Sequence, residues 1–424
     1  MAPTEADAAE GGEVRVFSNV ISTFRQYSQY SLSSNNRRRR DLFKLPKADQ
    51  EVFIALGYRD KLNEVDEAII KNAEFIEEIV DRPEIFGVEA EMEVDDEGCG
   101  GHSAGGTGHT HSHGGPQHSH SHGGPSSHSH SHDGPDGKYR PSEHDMDKLR
   151  STLKQFVRDW SAEGRPERDM CYEPMKDALL AHFKDRTEEE RKTTRVLVPG
   201  AGLGRLAFDV ANLGFHTQGN EFSHYMLLAS YFILNRTSTP FSHTIYPYVH
   251  SFSNAYSKES ILRGVKIPDV EVAIKNGTRF ELVAGDFEEI YGQDANHHAE
   301  ELDADASNQE EEEEVNAGQF DAILTCFFID TAKNPLAYLR ILHRILKPGG
   351  VWINLGPLLW HFENNQSGDV SVELDLEEVK RLCEVVGFEI KDHRQIDATY
   401  TNNPESMLGY VYHAQFWTAT KKAE

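Results

Sequence analysis

The sequence predicts an α/β protein built on a doubly wound, seven-stranded, Rossmann-like sheet, with a helical region in front of it. Three observations support this fold. Short apolar stretches alternate with amphipathic ones after about residue 194, the order that gives a mainly parallel sheet with helices on both faces. The first apolar stretch turns through closely spaced glycines, as the first strand of a nucleotide-binding sheet does. Acidic segments with helical periodicity precede all of these strands.

Length and composition suit one large domain with a smaller attachment. The chain has 424 residues, and its 38% hydrophobic content is enough for a core. No run approaches the ~18 apolar residues of a membrane span, and the first residues lack the basic and apolar regions of a secretory signal. The cysteines, Cys99, Cys171, Cys326 and Cys383, form no CxxC pair, which argues against a disulfide framework or a thiolate zinc site. We therefore expect a cytoplasmic protein without a membrane partner.

The charge argues against nucleic acid as a partner. The formal net charge is −27, so a phosphate backbone would be repelled and nonspecific binding lost. The basic run Arg37–Arg40 has two interpretations, a nuclear localisation patch and a solvated basic turn between helices. The second is favoured, and the first leaves a nuclear location open beside the cytoplasmic one.

Composition divides the chain into three parts. Residues 12–88 form a helical N-terminal region, residues 89–140 a disordered linker rich in His, Gly and Ser, and residues 141–424 the sheet domain. An acidic insertion at 293–317 interrupts that domain and is interpreted as a solvated loop. The HSHSH repeats of the linker could bind Zn, Ni or Cu, but flexible repeats offer no fixed geometry. Adventitious affinity is favoured over a dedicated function, and no metal site is predicted.

The elements follow one another in a regular order. In the N-terminal region, VDEAIIKNAEFIEEIV places apolar residues three and four apart, as a helix does. Two further amphipathic helices, MDKLRSTLKQFVRDWSAEG and YEPMKDALLAHF, precede the first strand. The elements after them are TRVLVPG, a helix from about Gly204, FHTQGNE, a helix from about Ser223, RFELVAGDF, FDAILTCFFI, a helix from about Asn334, GGVWINLG, a helix from about Leu374, GFEIKDHRQ and YVYHAQFWTAT.

The glycine-rich turn points to a small adenosine cofactor. In VLVPGAGLGRL, Gly200 permits the tight turn, Gly202 lets the backbone approach a ligand, and Gly204 allows close helix packing. A dinucleotide fingerprint would have glycine or alanine where Arg205 stands. The GxGxG spacing therefore disfavours NAD and suits a cofactor with no pyrophosphate.

Acidic residues follow the next two strands. Glu221 ends the second strand, where a carboxylate can accept hydrogen bonds from both ribose hydroxyls. Asp286 and Phe287 follow the third and suit an adenine amino group and ring face. With the glycine turn, these are marks of the class I S-adenosylmethionine-dependent methyltransferases, which this half of the chain resembles. The resemblance implies S-adenosylmethionine as the cofactor and the seven-stranded sheet of that class.

Longer strings narrow the resemblance to one family. The strings QFVRDWSAEGRPERDMCYEP, VLVPGAGLGRLAFDVANLGF, GNEFSHYML, TCFFIDTAKN, LKPGGVWINLGPLLWHFEN and ATYTNNPESM look like the carnosine N-methyltransferase family. The match runs from about Leu149 to Thr418, and the linker and acidic insertion interrupt it. It implies transfer of a methyl group to the imidazole nitrogen nearest the side chain of carnosine, which gives anserine.

The resemblance also implies site residues. Gln155 and Arg158, three apart on the helix before the first strand, would help to hold the cofactor. Cys326 would lie where the fourth strand passes the cofactor, although it could equally be a small buried residue. The residues that match on the substrate side are Asp330, His361, Tyr400 and Tyr412.

Asp330 is the candidate catalytic residue. A carboxylate that accepts a hydrogen bond from the far imidazole nitrogen would fix the tautomer and stabilise the charge that develops during methylation. Asp330 could instead cap the next helix, but its convergence with the cofactor residues at one sheet edge favours the catalytic role. His361 could bond the peptide or be a structural histidine. Tyr400 and Tyr412 could pack on the substrate, and Tyr410 shares a face with Tyr412 in an extended segment.

The leading hypothesis is therefore an enzyme that methylates carnosine or a related small histidine-containing peptide. One alternative is a protein-histidine methyltransferase that docks its substrate on the N-terminal helices. A non-catalytic metal-binding or protein-binding scaffold is the other, which the intact set of cofactor residues disfavours. The oligomeric state stays open, and a homodimer is among the options.

Overall fold

The protein is described here from a computed structural model. It covers residues 5–81, 139–275, 277–292, 317–365 and 368–422, with side chains from residue 14 onward. The predicted linker lies outside the described residues except for Tyr139 and Arg140, and the predicted acidic insertion lies outside them except for Ala317. Among the described helices, none combines the length and the apolar character that a membrane crossing requires.

A seven-stranded sheet forms the centre of the fold, in the order β5-β2-β1-β6-β7-β9-β8. The strands of the chain are β1 (Arg195–Pro199), β2 (His216–Glu221), β3 (His243–Ile245), β4 (Val265–Ile267), β5 (Phe280–Ala284), β6 (Phe320–Cys326), β7 (Leu346–Gly356), β8 (Phe388–Ala398) and β9 (Tyr412–Lys421). Neighbours in the sheet pair in parallel, except that β9 is antiparallel to both β7 and β8. The predicted doubly wound, Rossmann-like methyltransferase sheet is confirmed.

Helices cover both faces of this sheet. They are α1 (Glu5–Lys44), α2 (Lys47–Ala55), α3 (Tyr58–Val80), α4 (Glu143–Trp160), α5 (Arg165–His182), α6 (Glu188–Lys192), α7 (Arg205–Asn212), α8 (His224–Asn235), α9 (Lys258–Ile261), α10 (Phe287–Tyr291), α11 (Pro335–Ile345) and α12 (Leu376–Val386). In β1, Leu197 belongs to the core under α11 and α12, whereas Val196 and Val198 belong to the core under α5 and α7. Because successive side chains in a strand point to opposite faces, this central strand is apolar throughout rather than alternating.

The N-terminal helices share a core with the sheet domain. Phe75 of α3 makes edge-on ring contacts with Phe156 of α4 and Phe232 of α8. Tyr27 of α1 has its hydroxyl 2.7 Å from Nε2 of His250, and burial lowers the pKa of His250 to about 3. A neutral imidazole at that position suits a hydrogen bond from the phenol. Helices α1 and α3 are therefore held to the sheet domain by apolar packing and by buried hydrogen bonds.

Three details differ from the sequence interpretation. The predicted strand FDAILTCFFI corresponds to β6, which ends earlier, at Cys326. Asp330 lies beyond it in a short 3-10 helix, Ile329–Thr331. The cap of the next helix, α11, is Asn334, whose side chain accepts a hydrogen bond from the N–H of Leu336. The capping role considered for Asp330 is therefore taken by another residue. A small antiparallel ribbon, β3 with β4, also escaped the sequence analysis.

Candidate active site

The turn after β1 carries three glycines in left-handed backbone conformation. The φ angle is 65° at Gly200, 56° at Gly202 and 78° at Gly204, a region that glycine adopts without a steric penalty. A Cβ on Gly200 would lie 2.7 Å from the ring of Phe328, and one on Gly204 would lie 2.9 Å from the side chain of Leu234. Gly204 therefore serves helix packing, as its spacing predicted, and does not line the cavity described below.

Arg205, where the turn departs from a dinucleotide fingerprint, has a structural role. Its guanidinium donates to a carboxylate oxygen of Asp269 at 2.6 Å, to Asp209 at 2.8 Å and to the backbone carbonyl of Asp159 at 2.9 Å. The side chain is 6% exposed. A buried guanidinium with three such acceptors ties α7 to α4, and Arg205 is not among the residues that line the cavity described below.

The side-chain carboxylate of Glu221 is bound to the backbone of the glycine turn. One carboxylate oxygen accepts the N–H of Gly202 at 2.8 Å, and the other accepts the N–H groups of Phe222 at 2.9 Å and Ser223 at 2.8 Å. Burial raises the pKa of Glu221, and these three N–H groups oppose that shift. A carboxylate has about four acceptor positions, so about one is left for a ligand. The prediction that Glu221 binds both ribose hydroxyls stays a prediction.

Asp286 and Phe287 lie at the end of β5. Asp286 caps α10, and its Oδ1 accepts the N–H of Glu288 at 2.7 Å. The ring of Phe287 is 3% exposed and packs against Phe328 and Tyr338, with centroid distances of 5.2 Å and 5.1 Å. A ring-face contact between Phe287 and adenine does not fit this packing. The adenine prediction for Phe287 stays a prediction, and the packing of its ring in an aromatic core does not support it.

Arg158, near the end of α4, is a buried cation with free donor capacity. Its Nη1 donates to Asp159 at 2.8 Å and to the hydroxyl of Tyr172 at 2.7 Å. Its Nη2 has no hydrogen-bond partner among the described residues, although the side chain is 3% exposed. Burial alone would lower the pKa of Arg158, but Tyr172 and Asp159 raise it. An unsatisfied buried N–H is costly, so this position favours an anionic acceptor.

A cavity of about 340 Å³ lies between α4, the glycine turn and the end of β6. We call it the glycine-turn cavity. Its lining residues are Gln155, Arg158, Tyr172, Val198, Pro199, Gly200, Ala201, Gly202, Leu206, Cys326 and Tyr400. Gln155 donates from Nε2 to Asp159 at 3.0 Å, which orients its amide. The structure thus brings together five of the nine predicted cofactor residues, whereas Gly204, Glu221, Asp286 and Phe287 are not among the lining residues.

A second cavity, of about 280 Å³, adjoins the first. We call it the Asp330 cavity. Its lining residues are Phe327, Asp330, Pro357, Leu359, His361, Tyr400 and Tyr412. All four predicted substrate residues line it. Tyr410, which the sequence could not separate from Tyr412, is instead 51% exposed.

Asp330 is a buried acid in this second cavity. Its side chain is 3% exposed, and Oδ2 accepts the N–H of Leu359 at 3.0 Å. Burial raises the pKa of Asp330 to about 7, against the opposing effect of the Leu359 N–H. The backbone carbonyl of Asp330 accepts the N–H of His361 at 3.1 Å. Asp330 therefore sits in an apolar wall with a pKa poised near neutrality, which is typical of functional acids and bases.

Aromatic rings form the rest of the wall. Phe327 contacts Tyr400 and Tyr412, with ring centroids 4.9 Å and 5.5 Å apart. Burial, followed by the charge of Asp330, raises the pKa of Tyr412, so its hydroxyl stays protonated at neutral pH. Phe327 has a φ of 54°, which is rare for a bulky residue. A Cβ on Gly356 would lie 3.1 Å from the Cα of Phe327, so the glycine lets β7 approach this strained turn closely.

Sequence reasoning missed several residues of the site. Phe327 and Leu359 line the Asp330 cavity, and Tyr172 lines the glycine-turn cavity. Asp159 accepts hydrogen bonds from Gln155 and Arg158. The signal available for these residues was their place in the family strings. Asp159 and Tyr172 share a string with Gln155, Phe327 lies in the string of Asp330, and Leu359 lies in the string of His361.

The model of one protein family matches most of the described sheet domain. It is described as carnosine N-methyltransferase and matches residues 135–423. The chain belongs to this family. Both cavities and all of their lining residues fall inside the matched range.

Members of the carnosine N-methyltransferase family from distant organisms are similar to this chain. The mouse protein named carnosine N-methyltransferase is 44% identical over 290 residues, 68% of this chain and 66% of the mouse protein. The protein of that name from Schizosaccharomyces pombe is 42% identical over 282 residues, 64% of this chain and 70% of the yeast protein. The match spans about two thirds of the length of these relatives.

Solved structures show weaker likeness. A SAM-dependent methyltransferase from Methanosarcina mazei is 14% identical, with a TM-score of 0.33, and the match covers 55% of this chain and 94% of that one. The assignment of this carnosine N-methyltransferase family member to the methyltransferase fold rests on its own strand order.

Proposed function

We propose that the protein is an S-adenosylmethionine-dependent N-methyltransferase that acts on carnosine or a related small histidine-containing peptide. The methyl group would go to the imidazole nitrogen nearest the side chain. The observation that carries the proposal is the buried carboxylate of Asp330 in a cavity that shares Tyr400 with the glycine-turn cavity. Family membership supports the same activity.

The glycine-turn cavity fits S-adenosylmethionine. The free Nη2 of Arg158 is suited to the carboxylate of the cofactor's methionine part, because a guanidinium pairs well with carboxylates. Gln155, Gly200, Gly202 and Cys326 would line the rest of the site, and Glu221 would contact the ribose. Asp286 would bond the adenine amino group through its remaining oxygen. When bound, the cofactor supplies a methyl group activated by a sulfonium.

Asp330 would orient the substrate imidazole. Its carboxylate would accept a hydrogen bond from the far nitrogen and so leave the near nitrogen unprotonated and nucleophilic. As the near nitrogen gains its methyl group, the ring becomes cationic. A carboxylate in an apolar wall stabilises that charge strongly, because little water competes for it. A pKa near 7 also allows Asp330 to accept the imidazole proton as the product forms.

The remaining residues of the Asp330 cavity would hold the peptide. Tyr412 can donate its hydroxyl, since its raised pKa keeps it protonated. His361 would bond the peptide or its carboxylate group. Phe327 and Tyr400 would pack on the imidazole and fix its distance from the first cavity.

Two further points concern the surroundings of the enzyme. Arg38 donates to the carbonyl of His250 at 2.7 Å, and Arg39 pairs with Asp66 at 2.5 Å. These contacts support a structural role for half of the basic run, and we propose a cytoplasmic location. A homodimer stays an untested option.

Mass spectrometry tests the proposed function. The protein and S-adenosylmethionine are incubated with carnosine, homocarnosine and a host peptide extract, beside a reaction without protein. We expect a gain of one methyl group on carnosine or homocarnosine, placed on the near nitrogen by fragmentation or NMR. A gain restricted to polypeptides of the extract would favour the protein-histidine alternative. The absence of methyl gain in every arm would contradict the proposal.

A further inference from the structure

We propose that Glu167 is a positioning residue that fixes Tyr400 between the two cavities and thereby sets the shape of the substrate site. The proposal rests on the proposed function. Glu167 lies in the first turn of α5 and lines neither cavity. Its effect would therefore be indirect, through the segment that carries Tyr400 and through Arg158.

Glu167 is the acceptor for the segment that leaves β8. Its Oε1 accepts the N–H of Thr401 at 2.7 Å, and its Oε2 accepts the hydroxyl of Thr399 at 2.7 Å and the N–H of Asn402 at 2.9 Å. These donors stand on both sides of Tyr400 in the chain. A single carboxylate thus holds the side chain of Thr399 before the shared Tyr400 ring and the backbone of the two residues after it.

The backbone that Glu167 holds is strained. Thr401 has a φ of 49°, and left-handed backbone is a marked outlier for a β-branched residue. Such a conformation persists where the surroundings over-determine it. The hydrogen bonds from the N–H groups of Thr401 and Asn402 to Glu167 supply that constraint. Without the carboxylate, the segment would be expected to relax and carry Tyr400 with it.

Glu167 also contacts the cation of the first cavity. Its Oε1 lies 3.5 Å from Nε of Arg158, and the two side chains are 11% and 3% exposed. Arg158 in turn lies over the ring of Tyr400, with its guanidinium carbon 4.6 Å from the ring centroid. Glu167 therefore stabilises both partners of the contact that joins the cavities. Tyr400 is held by Glu167 through its neighbours in the chain and by Arg158 through its ring.

A second anchor on the same segment provides a matched control. Arg263 donates to the side chain of Asn403 at 2.9 Å and pairs with Glu405 at 3.1 Å. Glu405 is 52% exposed, and an exposed ion pair contributes little to stability. Replacement of Glu405 by Gln removes an acid from the same segment without touching the Tyr400 end.

The experiment compares the wild type with the variants E167A, E167Q and E405Q. Amide hydrogen exchange of a peptide covering residues 399–402 is measured on the protein without ligands, which reads the Glu167 hydrogen bonds directly. Kd for S-adenosylhomocysteine is measured by calorimetry, and KM and kcat are measured with carnosine. We expect exchange in that peptide to accelerate at least tenfold in E167A and KM for carnosine to rise at least tenfold. The Kd for S-adenosylhomocysteine should rise by a smaller factor than KM, because Arg158 and Tyr400 also line the glycine-turn cavity but Nη2 of Arg158 is preserved.

The other variants make the outcome decisive. E167Q keeps one acceptor oxygen and should give an intermediate change in exchange and KM, so it serves if E167A does not fold. E405Q should match the wild type in all three measurements. Wild-type exchange and KM in E167A, or an equal rise in E405Q, would overturn the positioning role. A wild type that exchanges slowly at residues 399–402 but methylates no peptide would instead reject the proposed function.

Discussion

The guanidinium carbon of Arg158 lies 4.6 Å from the ring centroid of Tyr400, and both residues line the glycine-turn cavity, while Tyr400 also lines the Asp330 cavity. A cation over a ring is attracted by the ring quadrupole, most strongly where water is excluded. Arg158 is 3% exposed. The wall between the two proposed ligands is therefore a stacked cation and phenol rather than a loose side chain. Its consequences can be tested at each residue.

Tyr400 should matter through its ring. Y400F keeps the ring over Arg158 and should retain most of the kcat/KM for carnosine. Y400A removes a contact of ~0.5 to 2 kcal/mol and merges the cavities, so we expect at least a tenfold loss of kcat/KM. Steady-state kinetics on the two variants would check this. Equal losses in Y400F and Y400A would show that the hydroxyl, not the ring, carries the effect.

Arg158 should govern cofactor affinity. R158K keeps a positive charge but loses the fork of donors that includes the free Nη2. We expect calorimetry to give a Kd for S-adenosylhomocysteine raised at least tenfold. The matched control is R165K, because Arg165 has a side chain that is 69% exposed and lies in α5. A Kd in R158K within twofold of wild type would remove Arg158 from the cofactor site.

The sheet and the glycine turn could be predicted because their signals are local. VLVPGAGLG contains the buried strand and the three glycines of the turn, each of which adopts positive φ. The four substrate-side residues could be predicted because a family resemblance marked them. The structure brings Asp330, His361, Tyr400 and Tyr412 into one cavity. The strand itself could not show that it ends at Cys326, because Phe327 and Phe328 are apolar and would extend it.

Long-range contacts account for what was missed. The partners of Glu167 lie 232 to 235 residues further along the chain, so no spacing in the sequence connects them. The ring of Phe287 faces Phe328 and Tyr338, which come from other elements of the fold. Position after a strand suggested a ligand contact for Phe287, but only the packing of α10 and α11 decides where the ring points.

Removal of the His-rich segment should leave catalysis intact. All residues that line the two cavities lie outside Gly100–Gly137. We expect a variant lacking this segment to have kcat and KM for carnosine within twofold of the full chain, with and without a chelator. A large loss in metal-free buffer, reversed by added zinc, would revive a metal function for the repeats.

Asp330 should control turnover more than binding of the cofactor. D330N is nearly isosteric, and D330A removes the side chain. We expect kcat to fall ~10²- to 10³-fold in D330N, the usual loss when a group that stabilises developing charge is removed, and at least as far in D330A. The Kd for S-adenosylhomocysteine should stay within threefold, since Asp330 lines the other cavity. Unchanged kcat in D330A would remove Asp330 from the mechanism.

The pH profile follows from the same carboxyl group. Wild-type kcat/KM should rise as pH increases through about 7, because the carboxylate form of Asp330 accumulates there. The free imidazole, with a pKa of about 6.5, contributes in the same direction. The residual activity of D330N should keep the imidazole contribution alone. Profiles of the two proteins that superimpose after scaling would contradict the assignment.

Folding stability provides a test of the raised pKa of Asp330 that does not depend on catalysis. Its pKa rises from 3.8 to about 7 on burial, so between these values the folded protein binds a proton that the unfolded chain has lost. Stability from this group is therefore complete below about pH 4 and falls as pH rises to 7, by on the order of 4 kcal/mol at ~1.36 kcal/mol per pH unit. D330N lacks this dependence. Denaturant unfolding at several pH values should show that the free energy of unfolding of D330N increases relative to that of the wild type from pH 5 to pH 8.

Asp321 provides a control, because its pKa is lowered in the folded protein whereas that of Asp330 is raised. Burial alone would raise the pKa of Asp321, but the hydrogen bonds from Lys347 and from the N–H of Arg195 lower it. A lowered pKa contributes stability that is present above about pH 4 and lost only as pH falls further. D321N should therefore be less stable than the wild type by a constant amount from pH 5 to pH 8. If the difference between D330N and the wild type is equally flat, the carboxyl of Asp330 is ionised throughout, and its apolar surroundings do not govern its charge.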